Sequence, residues 1–289
     1  MRNKIILGTV QFGLPYGINN SIGQLNQEAV FEILNYSHEN NISTLDTANA
    51  YGTATQVIGN FHKQYKKHFQ VNSKFHVSEG NLSNSVESEL KQMDIDSFHV
   101  YSFHSFKDFK SCSQQMKMQL RALKKEERIH KIGLSVYGNE QFSEAIESDL
   151  IDVIQFPYNL LDNDYQRGEF IERAKKSGKE LHVRSVFLQG LFFMNENEVP
   201  TKLEALKPNL AEIKYIAQKG QMSVYDLALG YALSNPDIDK VLIGIDSLDQ
   251  LRKNIESLDK TENWNKEAFL KVNNIRIEDI ELLNPVNWK

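Results

Sequence analysis

The feature that most constrains this chain's fold is an alternation repeated along its length. A short apolar run of strand-like composition is followed by a longer polar segment with helical spacing. The strand-like runs are KIILGTV (4–10), STLDTA (43–48), FQVNSKF (69–75), FHVYSFH (98–104), KIGLSV (131–136), DVIQFPYN (152–159), LHVRSVF (181–187) and KVLIGI (240–245). Between them lie helical segments such as NQEAVFEILNYSHE (27–40), SNSVESELKQM (83–93), CSQQMKMQLRALKKEE (112–127), NEQFSEAIE (139–147) and SLDQLRKNIESL (247–258). Eight strands alternating with helices predict an α/β fold of one kind, a parallel sheet closed into a (β/α)8 TIM barrel. An open doubly wound sheet normally has fewer strands, and no G-x-G-x-x-G dinucleotide fingerprint follows the first run.

At 289 residues the chain suits one barrel as well as two ordinary domains, and no stretch rich in Pro, Gly or Ser reads as a linker. The expected organisation is one domain over 1–289, with the barrel at about 4–258 and a tail at 259–289. Residues 188–201 and that tail break the alternation. A net charge of −5 and a pI near 5.9 provide no broad cationic surface, so neither nucleic acid nor membrane is an expected partner. Cys112 is the sole cysteine, which rules out an internal disulfide framework and fits a reducing compartment. With no visible export or anchoring signal, the expected location is the cytoplasm and the expected state a monomer or weak homo-oligomer.

In such a barrel, chemistry sits at the C-terminal ends of the strands. Asp46 closes the second run with Tyr51 in the loop beyond it, Lys74 ends the third and His104 ends the fourth. Singly, each has a plain structural reading: an Asp46–Lys74 ion pair, a loop aromatic and a rim histidine. Together, a carboxylate, an ammonium, a phenol and an imidazole at one mouth form a coherent acid catalyst. A free phenol titrates near ~10, and an ammonium beside a phenol stabilises the phenolate and strengthens the acid.

These residues resemble the aldo-keto reductase family. Its Asp, Tyr, Lys and His tetrad matches Asp46, Tyr51, Lys74 and His104, and its D-x-A-x-x-Y-G pattern is present as DTANAYG. The resemblance spans roughly residues 4 to 258 and begins at LGTVQFG, similar to the family's first-strand LGT motif, which places Gly8 and Thr9 beside a cofactor. It implies hydride transfer from a nicotinamide to a small-molecule carbonyl, with Tyr51 as proton donor and His104 orienting the substrate oxygen.

The resemblance also implies a cofactor site. Ser135 and Gln155 match residues that hold the nicotinamide carboxamide, Val136 stands where an asparagine is usual, and Asn159 takes a structural part in the same motif. VRSVFLQGLF resembles Y-S-P-L-x-x-G-x-L, with Arg184 replacing the tyrosine that commonly stacks on the nicotinamide ring. A guanidinium can stack, or reach a phosphate or carboxylate, or simply pair with a rim acid. Ser185, Phe187 and Gln189 would lie along the pyrophosphate. IGIDSLDQLRKN resembles the adenosine-binding P-G-x-x-x-x-x-Q-x-x-x-N and contributes Gly244, Ile245, Asp246, Ser247, Gln250 and Asn254, with a helix start near Ser247 offering backbone N–H groups to an anion. Asp246 stands where NADPH-selective members often carry a cation. Its carboxylate repels a 2′-phosphate and is able to accept a hydrogen bond from a free 2′-hydroxyl. The family places NADP(H) first, with Arg252 able to reach the phosphate, and Asp246 keeps NAD(H) open.

HKQYKKH (62–68) reads as a solvated helix end. Phe103, Phe106 and Phe156 either line an apolar pocket or simply pack. The eight histidines show no H-x-x-x-H or H-E-x-x-H pairing, so no metal is expected. The leading expectation is an NAD(P)H-dependent carbonyl reductase acting on a polar aldehyde or a sugar carbonyl. Two alternatives remain: a Schiff-base lyase with Lys74 as nucleophile, which a nearby carboxylate disfavours, and a nicotinamide-binding regulatory module with little turnover.

Overall fold

The apolar runs form eight parallel strands: β1 (Ile5–Gly8), β2 (Thr44–Asp46), β3 (Gln70–Phe75), β4 (Phe98–Phe103), β5 (Ile129–Ser135), β6 (Val153–Pro157), β7 (Glu180–Arg184) and β8 (Lys240–Gly244). They pair in chain order, and β1 joins β8 to close the barrel. These observations come from a computed structural model that describes residues 1–18, 20, 22–77, 81–261 and 264–288. The strands are covered on both faces, which explains their near-continuous apolar composition. The expected strands end one to three residues too late at several mouths. Val10, for instance, already begins a short helix, Val10–Gly13.

Register puts the strand ends level around one mouth. Gly8 lies opposite both Asp46 and Gly244, Ser135 opposite Gln155, and Pro157 opposite Arg184. The predicted helices form at Gln27–Glu39, Leu82–Met93, Gln114–Lys125, Asn139–Glu147 and Leu248–Asp259. Several are started by a side-chain cap, such as Asn26 accepting from Ala29 N and Ser247 from Gln250 N. Four further helices, Ala54–Tyr65, Asp164–Lys176, Lys207–Lys219 and Val224–Ser234, follow β2, β6 and β7.

One local expectation needs correction, at His62, and one alternative is resolved, at Phe103 and Phe156. His62 is not solvated: it is fully buried, its Nδ1 lies 2.7 Å from the Met93 carbonyl and its Nε2 accepts from Phe69 N at 3.3 Å. Phe103 and Phe156 line no pocket. Both are wholly buried between barrel and helices, Phe156 against Phe142 and Phe103 against Phe75 and Phe109.

The irregular stretch after β7 forms short 3₁₀ turns, Leu188–Phe193, Glu196–Glu198 and Thr201–Leu206. The tail is docked onto the barrel. It carries the helix Lys266–Val272, and Asn163 Nδ2 donates to the carbonyls of Val272 (2.8 Å) and Ile275 (3.2 Å). Residues 262, 263 and 289 of the tail lie outside the described residues. Among the described residues no helix is long and apolar enough to cross a membrane.

Candidate active site

The loop that carries Tyr51 is an extension of the β2–β3 ladder. Thr47 N donates to Asn72 O at 2.8 Å and Asn49 N to Lys74 O at 3.2 Å, so the chain stays in register with β3 past the end of β2. Tyr51 then folds back, its N–H donating to Ala48 O at 3.0 Å. Gly13 supports this loop from the β1 side. A Cβ at residue 13 would lie 1.8 Å from the Tyr51 carbonyl oxygen, so only glycine permits the approach.

Inside the mouth, Lys74 Nζ donates to Asp46 Oδ1, and both side chains are buried. The second carboxylate oxygen of Asp46 accepts from Gln155 Nε2 at 2.9 Å. Thr9 holds Asp46 from behind, its N–H and its hydroxyl both donating to the Asp46 carbonyl at 3.0 Å. Burial of the Lys74 ammonium acts to lower its pKa. The Asp46 carboxylate and the Tyr51 phenol overcome that effect, and the net direction is upward. The lysine is therefore held protonated, the wrong state for an imine-forming nucleophile.

Tyr51 is half-buried, with the Lys74 ammonium 5.7 Å from its ring centroid. Its ring meets that of His104 edge-on at 6.2 Å. Burial first, then the charge of Lys74 and the neighbouring His76, push the His104 pKa down to about 4, so the imidazole is neutral at neutral pH. His76 stacks on His104 at 4.3 Å and is itself tied to Asp108 Oδ2 at 3.0 Å.

Sequence reasoning names neither His76 nor Asn72, although both lie two residues from Lys74 and thus share its face of β3. Polar residues at that two-residue spacing are the signal that points to them. Tyr16 and Tyr137 come to the same mouth from loops, where no periodicity marks them, and Asp108 comes from the short helix Phe106–Ser111.

On the opposite wall, the Arg184 guanidinium stacks 4.1 Å above the Tyr137 ring. Its hydrogen bonds are long, 3.4 Å to Ser185 Oγ and 3.3 Å to the Val136 carbonyl. Arg184 forms no ion pair with Asp162, which Arg167 already holds through bonds of 2.6 and 2.8 Å. Beyond it, Ser185 and Gln189 adopt left-handed backbone conformations (φ 59° and 53°). Gln189 donates to the Tyr16 hydroxyl at 3.1 Å, bridging the loops after β7 and β1. Phe187 is stacked on Tyr225 at 4.6 Å.

Just past β8, Ile245 is fully buried. Asp246, Ser247, Gln250 and Asn254 form a self-bonded helix cap. Asp246 N donates to Gln250 Oε1 at 2.8 Å, Gln250 N to Ser247 Oγ at 3.2 Å, and Asn254 Nδ2 to Gln250 O at 2.9 Å. Arg252 is turned to Asp249 (3.3 Å) and to the Tyr36 ring. Asn159 is structural, its Oδ1 accepting from Leu161 N and Asp162 N.

Several buried polar atoms around this mouth lack a partner among the described residues: Gln11 Oε1, Thr47 Oγ1, both amide atoms of Asn72, His104 Nδ1 and Gln155 Oε1. A buried unpaired polar atom costs about 1–3 kcal/mol, so such a cluster suits a polar ligand. A carboxamide, with two donors and an acceptor, fits the orphaned Gln155 Oε1 next to buried Ser135. Among the described residues no cluster of three or more His, Cys, Asp or Glu side chains is placed to hold a metal. A separate groove of about 450 Å³, between Arg2, Asn41 and Thr261, shares no residue with this mouth.

The family model described as "Aldo/keto reductase family" matches residues 4–276. The sequence is 23% identical over 283 residues to the NADH-specific methylglyoxal reductase of Escherichia coli (strain K12), covering 82% of this chain and 84% of that one. Among solved structures, the holo form of an aldo-keto reductase from Bacillus halodurans superposes with a TM-score of 0.72 at 18% identity, covering 96% of this chain and 94% of that one. The apo form of that enzyme gives 0.69 at 19% identity, covering 89% and 90%.

Proposed function

This chain belongs to the aldo/keto reductase family, and from that premise we propose a reduction in which Tyr51 gives the proton to the carbonyl of a small polar aldehyde or sugar. The activity class is NAD(P)-dependent oxidoreduction of a carbonyl. When bound, the nicotinamide supplies the hydride; the protein supplies the proton, the orientation and the field.

The observation that carries this reading is the state of the groups around Tyr51. Among the titratable groups at the mouth, the family resemblance points to Tyr51 and His104 as the two that meet the substrate carbonyl. With its pKa near 4, His104 is almost wholly unprotonated at neutral pH and is a poor proton donor, but a neutral imidazole N–H still hydrogen-bonds a carbonyl oxygen. Tyr51 is the acid in this reading, as the resemblance implies, with the Lys74 ammonium beside it and Asp46 holding that ammonium charged. The phenolate formed on proton transfer then faces a fixed positive charge, an electrostatic gain present in the transition state. Asp46 and Gln155 form one unit, so Gln155 Oε1 is aimed to accept from the carboxamide with Ser135 beside it.

A polar substrate is favoured because Tyr16, Tyr51, His76, His104, Tyr137 and Arg184 surround the mouth, while Phe103 and Phe156 are buried away from it. The likeness to a methylglyoxal reductase supports a small aldehyde. For the cofactor, the family resemblance places NADP(H) slightly first, but three observations favour NAD(H). Asp246 has no cation paired to it among the described residues, Arg252 is engaged by Asp249, and the relative in Escherichia coli is NADH-specific.

A carbonyl panel followed through the nicotinamide absorbance tests the reading. We expect turnover of methylglyoxal and short aldoses above that of apolar aldehydes of similar size, with NADH accepted. Equal turnover of apolar and polar aldehydes would contradict the substrate class, and no turnover of any carbonyl would contradict the reaction.

A further inference from the structure

We infer that the unpaired guanidinium of Arg184 makes this mouth selective for the oxidation state of its cofactor, favouring the neutral reduced nicotinamide over the cationic oxidised ring. This rests on the reductase reading above and deepens it.

The placement follows from register and hydrogen bonding. Ser135 and Gln155 lie opposite each other at the ends of β5 and β6, and Gln155 Oε1 is a buried acceptor without a partner among the described residues. Arg184 ends β7 opposite Pro157 of β6, and its Nη2 reaches the carbonyl of Val136, the residue after Ser135. A ring whose carboxamide is held by Ser135 and Gln155 is therefore flanked by this guanidinium. The Tyr137 ring, packed on the guanidinium at 4.1 Å, fixes its plane.

The charges around the ring are unequally compensated. The Lys74 ammonium is matched by Asp46 in direct contact. Asp162 is taken by Arg167 through two short bonds. On the far wall, Asp108 is bonded by Ser105, Val77 and His76, with His76 lying between it and His104. The guanidinium of Arg184 has no carboxylate in ion-pair contact among the described residues; Asp162, which feels its charge from a distance, is already bonded by Arg167, so the field of Arg184 at the β5–β7 side of the mouth is only partly compensated.

The oxidised nicotinamide carries one positive charge and the reduced ring none. An adjacent fixed cation in a partly desolvated site raises the free energy of the first and leaves the second almost unchanged. Binding of the reduced form is favoured, and the oxidised form left after turnover is held less tightly. A neutral aromatic at position 184 would lack this bias.

Equilibrium titration, followed by protein fluorescence or calorimetry, tests this without turnover. Dissociation constants are measured for NADH, NAD⁺ and ADP-ribose with the full-length wild type and with Arg184→Met and Arg184→Lys. We expect wild type to prefer NADH over NAD⁺, and Arg184→Met to narrow that ratio by about tenfold, mainly through tighter NAD⁺. Arg184→Lys should keep most of the gap, and ADP-ribose, which lacks the ring, should bind all three proteins alike. An unchanged ratio in Arg184→Met would overturn the inference while leaving the reductase reading intact. Parallel weakening of NADH, NAD⁺ and ADP-ribose would also overturn it, and would assign Arg184 to a phosphate instead. Absence of binding by all three nucleotides to wild type would overturn both the inference and the cofactor dependence beneath it.

Discussion

The side-chain amide of Gln155 on β6 reaches Asp46 on β2 at 2.9 Å, so one carboxylate ties together opposite walls of the barrel mouth. Asp46 is therefore saturated by two donors, Lys74 on one oxygen and Gln155 on the other. This linkage makes the Asp46 carboxylate, the Lys74 ammonium and the Gln155 amide a single unit.

Gln155→Met leaves one Asp46 oxygen buried without a donor, a loss of about 1.5–3 kcal/mol for a hydrogen bond to a charged group. The melting temperature should fall by several degrees, and cofactor affinity should weaken with it. Gln155→Glu sets a second carboxylate against Asp46. Like charges favour protonation, so the stability deficit of this variant should shrink as pH falls from 8 toward 5. Thermal unfolding across that range checks this; a pH-independent deficit in Gln155→Glu would contradict the contact.

Gly13→Ala and Gly59→Ala form a matched pair. A Cβ at residue 13 would stand 1.8 Å from Tyr51 O, and one at residue 59 would stand 1.9 Å from Gln92 O, where the helices Ala54–Tyr65 and Leu82–Met93 touch. Both substitutions should destabilise, by about 1–3 kcal/mol for overpacking. Only Gly13→Ala displaces the Tyr51 loop, so kcat measured well below each melting point should drop about tenfold or more for residue 13 and little for residue 59. Equal kcat losses would contradict the positioning role of Gly13.

Stability should fall between pH 6.5 and 4. Burial first, then Lys74 for His104 and Lys131 for His99, hold both imidazoles at about 4, and burial shifts His62 in the same direction. In this window the unfolded chain binds more protons than the folded one, so acidification favours unfolding. Glu180 opposes no part of this. Burial works to raise its pKa, but the bonds from His182 and Lys131 prevail and bring it to about 2, so the stability it contributes is lost progressively as pH falls from the unfolded value of 4.5 toward 2, adding to the decline at the acid end. Denaturant midpoints at pH 7, 5.5 and 4.5 should decline, and the decline should be shallower in His104→Gln. Parallel slopes for wild type and variant would show that His104 does not titrate in this way.

Cofactor choice should respond to Asp246. Asp246→Lys replaces repulsion of a 2′-phosphate by attraction, worth about 1–3 kcal/mol for a charge-assisted contact. The NADPH to NADH ratio of kcat/KM should rise by one to two factors of ten, mostly in KM, because the adenosine end is bound alike in ground and transition states. An unmoved ratio would mean that residue 246 does not face the 2′ position, and Arg252 would become the residue to change.

The barrel was legible because each strand is buried on both faces and so writes itself as an apolar run. Asp46 and Tyr51 were legible because their spacing is local, within one loop. The Gln155–Asp46 bond joins residues 109 apart, and no pattern along the chain encodes which amide atom each partner takes. Phe156 illustrates a rule that was available in the sequence: it neighbours inward-facing Gln155, so strand alternation turns it outward to Phe142 and away from the mouth. The freedom of Arg184 was not legible, because it depends on Arg167 occupying Asp162 first, a competition decided by tertiary geometry.

The most direct test of the proposed chemistry is kcat for Tyr51→Phe, measured with saturating cofactor and alongside the cofactor dissociation constant. Removal of one hydroxyl takes away the proton donor and leaves the Lys74–Asp46–Gln155 unit in place. The account predicts a loss of about 100-fold or more in kcat, the usual contribution of general acid catalysis, with cofactor affinity within about twofold of wild type. A loss of less than about tenfold, with the cofactor still bound, would contradict Tyr51 as the acid.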